Sequence, residues 1–431
     1  MNEHEYQIYL QKCKDRYPRF KVPSKYRDQI HTTYKEETDV KPAYPPTVQS
    51  VFQAGWMDYC TKHDLSNDQW KALMSITRCK TSHNRLIGLS DCNVCGYEQP
   101  TYASCGNRNC TCNAAARAEW LEKCKADDYD APHFHLVFTV PEELNALFFI
   151  NQKKMYSLLM RCSSETVLEL SQDTKYLGVK PGIIMVLHTW SQLLLFHPHV
   201  HMAIIAGGVN KQNQYISGTS DFFIPIHVLR DKFRGKFLAE IQKLIVRNEL
   251  KLPAKWEVDH NPDFWKDLRN DLYEKEWTPY IKSSADNPDL IEYLARYMNK
   301  VAIGNTRILE VTSETVAIQY RDSRDHNRQK VAVMGIQTFI GRFLLHVLPS
   351  GFQKTRRYGV YSGKNKKKLL KIIRNALHKA KAVPKYEGKN HLTIAMERWG
   401  LDLLTCPRCK RGRMINKMSS TSMCCNEALL C

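Results

Sequence analysis

The fold is decided by LLLFHPHVHMAII, residues 193–205. His197, His199 and His201 alternate with Pro198 and Val200 through an otherwise apolar run. A period of two reads as a β-strand, with all three imidazoles on one face. Three titratable rings side by side on a half-buried strand repel one another when charged and are costly to desolvate. They need a compensating partner, and a bound cation is the simplest one.

Working outward, GIIMVLHTW (182–190) is a second strand, leading through SQLLLF to the histidine strand. Upstream, HFHLVFTVP (133–141) is a strand ended by Pro141. It carries a rival His-hydrophobe-His pair, His133 and His135. His199 and His201 are the favoured pair, because a third histidine and the glycines Gly207 and Gly208 accompany them. The spacing predicts helices over NQKKMYSLLMRCSSETVLEL (151–170), VLRDKFRGKFLAEIQKLIVRNELK (228–251), NPDLIEYLARYMNKVA (287–302) and IQTFIGRFLLHVL (336–348). Short strand-like runs, TRILEV, TVAIQYRD and QKVAVM, fill residues 306–334. Near the start, LSNDQWKALMSITRC places Ser66 at an N-cap with Gln69 three residues on, which is a capping box. Such a mixture predicts an α+β fold with a mostly antiparallel sheet.

The chain has 431 residues, enough for about two to four domains. No apolar run approaches the ~20 residues of a membrane span, and the mixed-charge start lacks the apolar core of a signal peptide. A cytosolic, reducing location is expected. The net charge is +19, and residues 353–390 hold thirteen Lys or Arg against one acid, Glu387. There the aromatics of RRYGVY precede the helical run KKKLLKIIRNALHKAKA, a pattern that suits a phosphate backbone. Nucleic acid is the partner that charge points to.

Of fifteen cysteines twelve cluster at two places, seven between Cys79 and Cys124 and five from Cys406 to Cys431, and only Cys13, Cys60 and Cys162 fall elsewhere. In a long, reduced chain that clustering argues for metal sites over disulfides. Cys92-x-x-Cys95 followed by Gly96 is a zinc knuckle, with Cys110-x-Cys112 as its returning pair and Cys105 and Cys79 nearby. Six thiols exceed the need of one tetrahedral zinc, so two are spare or there are two sites. Lys80, Arg85, Arg108 and Arg117 decorate this segment as a DNA-contacting module requires. Cys406-x-x-Cys409 is a second knuckle without a regular returning pair, either a small zinc ribbon or a cysteine-rich tail.

In DLIEYLARYMNK, Tyr293 and Tyr297 are four apart and lie on one helical face. A tyrosine hydroxyl becomes a useful nucleophile toward a phosphodiester when a divalent metal neutralises the non-bridging oxygens. A histidine pair leaves coordination positions free for that phosphate. A third ligand is usual, and Gln192, His197 and Asn299 are its candidates.

Together, HPHVH and YLARY resemble the two-tyrosine form of the HUH endonuclease superfamily. The chain is similar to the rolling-circle transposases of bacterial insertion sequences, relatives of the Helitron transposases. The resemblance runs in order through CNAAARAEW, HFHLVFTVP, LHTWSQLLLFHPHVHMAIIAGG, YLARYMNKVAI and FIGRFLLHVLPSGFQKTRRYG. It implies an HUH nuclease domain over 129–335, preceded by a segment over 1–65 and a zinc-binding DNA-recognition domain over 66–128. A basic helical DNA-binding region over 336–400 and a zinc ribbon or tail over 401–431 follow. It singles out His135 in the first strand and supports Gln192 and His197 near the metal. The chain departs from the pattern at NRNCTC, where Asn109 stands in place of a histidine and one residue separates the cysteines.

The resemblance also implies the chemistry. One tyrosine attacks single-stranded DNA at the element's end, giving a 5′-phosphotyrosine and a free 3′-hydroxyl. The second cleaves the other strand or the target, and transesterification resolves the linkage. Mg²⁺ or Mn²⁺ serves the histidine site, Zn²⁺ is structural, and no nucleotide cofactor is needed. Arg296 and Lys300 hold phosphate, while Arg342, Arg356, Arg357, Lys366, Lys367 and Lys368 contact DNA in the cytoplasm, at the nucleoid. A plasmid replication initiator or relaxase shares this chemistry, although no G-x-x-x-x-G-K-[ST] helicase motif is present. A non-enzymatic zinc DNA-binding protein is the reading of a different class.

Overall fold

The computed structural model describes residues 45–129, 131–219, 223–253, 256, 264–277, 279–283, 302–322 and 325–417. The tyrosine helix expected over 287–302 therefore lies outside the described residues except for Ala302. So do Cys424, Cys425 and Cys431.

Helices α1 (Val48–Lys62) and α2 (Asn67–Thr77) come first, each opened by a reciprocal capping box. In α2 the Ser66 hydroxyl accepts from the Gln69 amide at 3.3 Å, and the Gln69 side chain accepts from the Ser66 amide at 3.0 Å. Each box satisfies two backbone donors that a helix start otherwise leaves orphaned. A hairpin of β1 (Leu86–Cys92) and β2 (Glu98–Tyr102) and the helix α3 (Ala114–Ala126) follow.

The central sheet is then laid down. Strand β3 (His133–Thr139) precedes helices α4 (Asn145–Ile150) and α5 (Gln152–Gln172). Strands β4 (Lys180–Trp190) and β5 (Phe196–Val209) form a hairpin, and β6 (Tyr215–Ser217) folds back on β5. After α6 (Ile226–Val246) and α7 (Phe264–Glu274) comes the short β7 (Tyr280–Ser283). A second sheet contains β8 (Ile308–Val311), β9 (Thr315–Asp322) and β10 (Arg328–Gly335), and runs directly into α8 (Ile336–Leu344). Strand β11 (Thr355–Gly359) returns to the central sheet, and α9 (Lys366–Ala376), α10 (His391–Trp399) and β12 (Met414–Asn416) complete the chain.

The central strand order is β11-β4-β5-β3-β7, with every pairing antiparallel. The histidine strand β5 is the middle one, which explains its unbroken burial from Pro198 onward. One face of the sheet carries Leu136, Phe138, Met185, Leu187, Val200, Met202 and Ile204, packed in one core with residues of α5 and α6 such as Leu159, Phe233 and Phe237. Each such side chain contributes about 1.5–3 kcal/mol by burial. The opposite face places Ile184, Val186, Ala203 and Ile205 with Tyr361, Leu370 and Ile373 in a smaller core. By strand alternation His188, His199 and His201 lie on this second face, beyond the end of that smaller core.

A second large core unites chain-distant pieces. Phe52 and Trp56 of α1 and Leu73 and Ile76 of α2 pack with Ile303, Val316, Ile318, Phe339 and Phe343. The Phe52 and Phe343 rings meet edge to face, 5.1 Å apart. The α+β class and antiparallel sheets expected from periodicity are those found.

Candidate functional site

The site is built on the β4–β5 hairpin. The turn is tight, with the Ser191 amide donating to the Leu195 carbonyl at 2.9 Å and Leu194 at φ 60°. LLLF is thus mostly turn, not strand. The register that follows sets His188 directly across from His199, while His201 faces Val186 on one side and Val137 of β3 on the other. Ligand nitrogens of His188, His199 and His201 all lie within 4.8 Å of one another.

Hydrogen bonds fix the proton on one of these rings. His199 Nδ1 lies 2.7 Å from the His197 carbonyl, which can only accept, so Nδ1 carries hydrogen and Nε2 presents its lone pair. That lone pair faces His201 Nε2 at 3.1 Å. His201 Nδ1 in turn lies 2.9 Å from His135 Nε2. Burial pushes His199 down to about 3 and His135 to about 4, so both are neutral at neutral pH. Imidazole nitrogens of this kind are ligands for a divalent cation. An octahedral cation with bonds of about 2.1 Å separates adjacent ligands by about 3.0 Å, close to the distance between the two Nε2 atoms.

The third member, His188, was not singled out by sequence reasoning. Of the expected third ligands, His197 has its ring 5.1 Å from that of His199 and is outside the nitrogen cluster, contributing its backbone carbonyl instead. Gln192 is exposed at the turn, with its carbonyl bonded to Arg307. Asn299 lies outside the described residues. His135, second in its strand pair, touches the cluster, whereas His133 pairs with Asp128 at 3.0 Å.

Three consecutive turn carbonyls are clamped from outside. Arg307 donates to Gln192, Arg342 to Leu193 at 3.2 Å, and His346 Nε2 to Leu194 at 3.0 Å. His346 also accepts at Nδ1 from the Thr189 hydroxyl, 3.1 Å away, and burial pushes it down to about 4. Trp190 stacks on His188 with ring centroids 4.5 Å apart. The hairpin that carries the cluster is therefore held rigid by the second core.

The segment bearing Tyr293, Arg296, Tyr297 and Lys300 lies outside the described residues, but its flanks are described. On one side is β7, where Lys282 pairs with His135 and the Tyr280 ring sits 5.7 Å from that of His135. On the other, Ala302 lines a small cavity with Trp190, Phe343 and His346. Each flank thus comes beside a residue that packs on the cluster, His135 on one side and Trp190 on the other.

The cysteines sort into two groups. Cys79, Cys105, Cys110 and Cys112 bring their sulfurs within 4.8 Å of one another, with Cys105 and Cys112 at 3.7 Å. Four thiols complete a tetrahedral zinc set, so Asn109 need not stand in for a histidine. Instead its amide donates to the Asn107 side chain at 2.9 Å. Cys92 and Cys95, expected to share these ligands, instead lie beside Cys406 and Cys409.

Among the basic residues, Arg342 is buried in the clamp. Arg357 and Lys366 both reach Asp127, Arg357 at 2.9 Å. Arg356 bonds Ser157 at 3.1 Å and lies over the Phe352 ring. Arg108 donates to the carbonyls of Leu348, Pro349 and Phe352, and Arg117 to that of Thr111. Lys367 and Lys368, on the outer face of α9, are exposed.

Residues 182–368 match the Y2_Tnp family, described as "Putative transposase", and residues 51–140 match Zn_Tnp_IS91, "Transposase zinc-binding domain". Over 377 residues the chain is 33% identical to "Putative transposase y4qJ" of Sinorhizobium fredii (strain NBRC 101917 / NGR234), spanning 86% of this chain and 94% of the relative. It is 23% identical over 370 residues to the "Transposase for insertion sequence element IS801" of Pseudomonas savastanoi pv. phaseolicola, spanning 80% of this chain and 86% of that one. No solved structure matches the chain significantly. These matches define a transposase with a zinc-binding domain. The chain belongs to the Y2_Tnp family of insertion-sequence transposases, of the IS91 and IS801 kind.

Proposed function

We propose that this transposase nicks and rejoins single-stranded DNA at the ends of its element through a 5′-phosphotyrosine, in rolling-circle transposition. The observation that carries the reading is the nearly buried cluster of His188, His199 and His201, with His199 held neutral by burial; the flanks of the segment that bears Tyr293 and Tyr297 come beside His135 and Trp190, the two residues packed against that cluster. In this reading the central sheet is the HUH nuclease domain, and α9 with Lys367 and Lys368 guides DNA toward it.

Mg²⁺ or Mn²⁺ at the histidines supplies charge neutralisation of the scissile phosphate. The protein's own groups do the rest. The hydroxyl oxygen of one tyrosine forms a bond to phosphorus, the bond from phosphorus to the 3′-oxygen breaks, and that oxygen takes up a proton as the tyrosine loses one. Arg296, three residues after Tyr293 in the sequence, and Lys300, three after Tyr297, hold the phosphate. The second tyrosine repeats the step on the other strand or the target. A free 3′-hydroxyl then attacks a phosphotyrosine and releases the side chain. Each step exchanges one phosphodiester for another, so no nucleotide cofactor is needed. Zn²⁺ has a structural part, and the activity belongs in the cytoplasm, at the nucleoid.

The test is a covalent adduct. Full-length protein is incubated with single-stranded oligonucleotides of its element's ends and Mn²⁺, then run on a denaturing gel. A shifted band lost in Tyr293→Phe or Tyr297→Phe is expected. Absence of any adduct with the wild-type protein overturns the tyrosine chemistry. Undiminished adduct in His199→Ala and His201→Ala overturns the metal site.

A further inference from the structure

The knuckle at Cys406 and Cys409 lies beyond both segments that match known families. Its sulfurs come within 4.8 Å of those of Cys92 and Cys95, with Cys92 to Cys409 at 3.6 Å and Cys95 to Cys406 at 3.8 Å. We propose that these four cysteines bind a second zinc ion, a clasp shared between the amino-terminal zinc module and the carboxy-terminal end of the chain.

Several independent features of the chain point to a metal here. A tetrahedral zinc with Zn–S bonds of about 2.3 Å sets its sulfurs about 3.8 Å apart, as found; a disulfide needs about 2.05 Å. Each half is a knuckle of the same construction. Backbone amides of Val94 and Cys95 point at the Cys92 sulfur (3.4 and 3.5 Å), and that of Cys409 points at the Cys406 sulfur (3.5 Å). The residue after the second cysteine is left-handed in both, Gly96 at φ 63° and Lys410 at φ 57°. Such amides stabilise the anionic, metal-binding form of sulfur.

The two halves are also docked by the fold. Strand β12 pairs with β1 in the register Ser90–Asn416, Asp91–Ile415 and Cys92–Met414. The Arg413 amide donates to the Asn93 side chain at 2.8 Å, and Lys417 reaches Glu98 at 2.8 Å and Asp91 at 3.3 Å. Gly412 is required by closeness: a Cβ there falls 2.3 Å from the Cys92 sulfur. Arg408, Lys410, Arg411 and Arg413 surround the knuckle and offset the surplus negative charge of four thiolates and one dication.

What the sheet β12-β1-β2 lacks is as telling. None of its side chains belongs to a hydrophobic core cluster among the described residues, and Leu86, Ile87 and Ile415 are exposed. Three short strands with so little apolar burial do not hold themselves together, whereas a structural zinc contributes its binding energy directly to folding. The clasp closes the chain from Cys95 to Cys406 into one loop that contains the entire central sheet.

Metal analysis of the purified full-length protein tests this. Wild type carries two zinc ions per chain. The double variants Cys92→Ser/Cys95→Ser and Cys406→Ser/Cys409→Ser each carry one, and the quadruple variant also carries one, because both pairs serve a single ion. Two zinc ions retained in Cys406→Ser/Cys409→Ser, or a quadruple variant with fewer ions than either double, overturns the clasp. Should the serine variants fail to fold, Cys406→His keeps a ligand and retains two ions. Gly412→Val removes no ligand yet drops to one, and two ions in Gly412→Val overturns the shared geometry.

Discussion

Replacing His135 by Phe probes how the histidine cluster is held without removing any of its three members. His135 is 4% exposed, and its Nε2 lies 2.9 Å from His201 Nδ1. For His201 to offer Nε2 to a cation beside His199 Nε2, its proton must sit on Nδ1 and be donated to His135. Neutral His135, pushed by burial down to about 4, is available to accept it. Phenylalanine keeps the ring and the edge-to-face packing on Tyr280 but deletes the acceptor. A buried donor left unpaired costs about 1–3 kcal/mol. Loss of such an orienting partner lowers metal affinity by about 10- to 100-fold, or roughly 1.4–2.7 kcal/mol. Manganese titration of the zinc-loaded protein, followed by electron paramagnetic resonance, reads the affinity directly. His133→Phe is the control, because His133 is bound to Asp128 away from the cluster, and its affinity should stay within about twofold. Equal affinities for wild type and His135→Phe would refute the tautomer argument.

Other outcomes follow from the same geometry. His188→Ala should weaken manganese binding by more than about 100-fold and Gln192→Ala by less than about 10-fold, since only the first removes a nitrogen of the cluster; the same titration checks both. His346 is neutral in the fold, with its ordinary value of 6.5 pushed down to about 4. Its contribution is therefore complete above pH 6.5 and is lost as pH falls toward 4, amounting to about 2 kcal/mol at pH 5. The thermal midpoint of wild type should accordingly fall more between pH 7.5 and 5 than that of His346→Gln. Gly359, at φ 61°, has no room for a Cβ, which would sit 1.8 Å from the Pro181 carbonyl. Gly359→Ala should cost about 3 kcal/mol or more and loosen β11, seen as faster amide exchange along β4.

Features that depend on neighbours in the chain were legible. The capping box at Ser66 and Gln69 formed as its spacing implies, and the histidine strand took its period-two form. What escaped was set by register and by contacts between distant segments. His188 is invisible as a site residue until the β4–β5 turn is known. Yet a fold-back about Leu193 and Leu194 places 188 opposite 199, so the signal was present in the hairpin's symmetry. Reading LLLF as strand hid it. Arg342 looked like a DNA contact because it sits near a basic run, but the apolar stripe of α8 turns it inward against the Leu193 carbonyl. Zinc was legible in the cysteines, but the partner of Cys92 and Cys95 was not, since two knuckles 311 residues apart show no spacing that joins them.

That division bears on how the site keeps its precision. The cluster nitrogens are contributed by two strands of one hairpin, and strand pairing alone leaves a hairpin tip free to fray. Here the tip is clamped at three successive carbonyls by Arg307, Arg342 and His346, whose chain neighbours Ile308, Phe343 and Val347 pack in the second core together with Ala302 and Ile303. The same core thus holds the histidine hairpin and the chain from Ala302 onward. A clamp mutation such as Arg342→Met, which keeps the apolar stem and deletes the donor, leaves every histidine in place. It should nevertheless lower adduct formation more than manganese affinity, because it loosens the hairpin relative to the tyrosine segment without removing a ligand nitrogen. Equal losses in both measurements would mean that the clamp serves only the metal cluster.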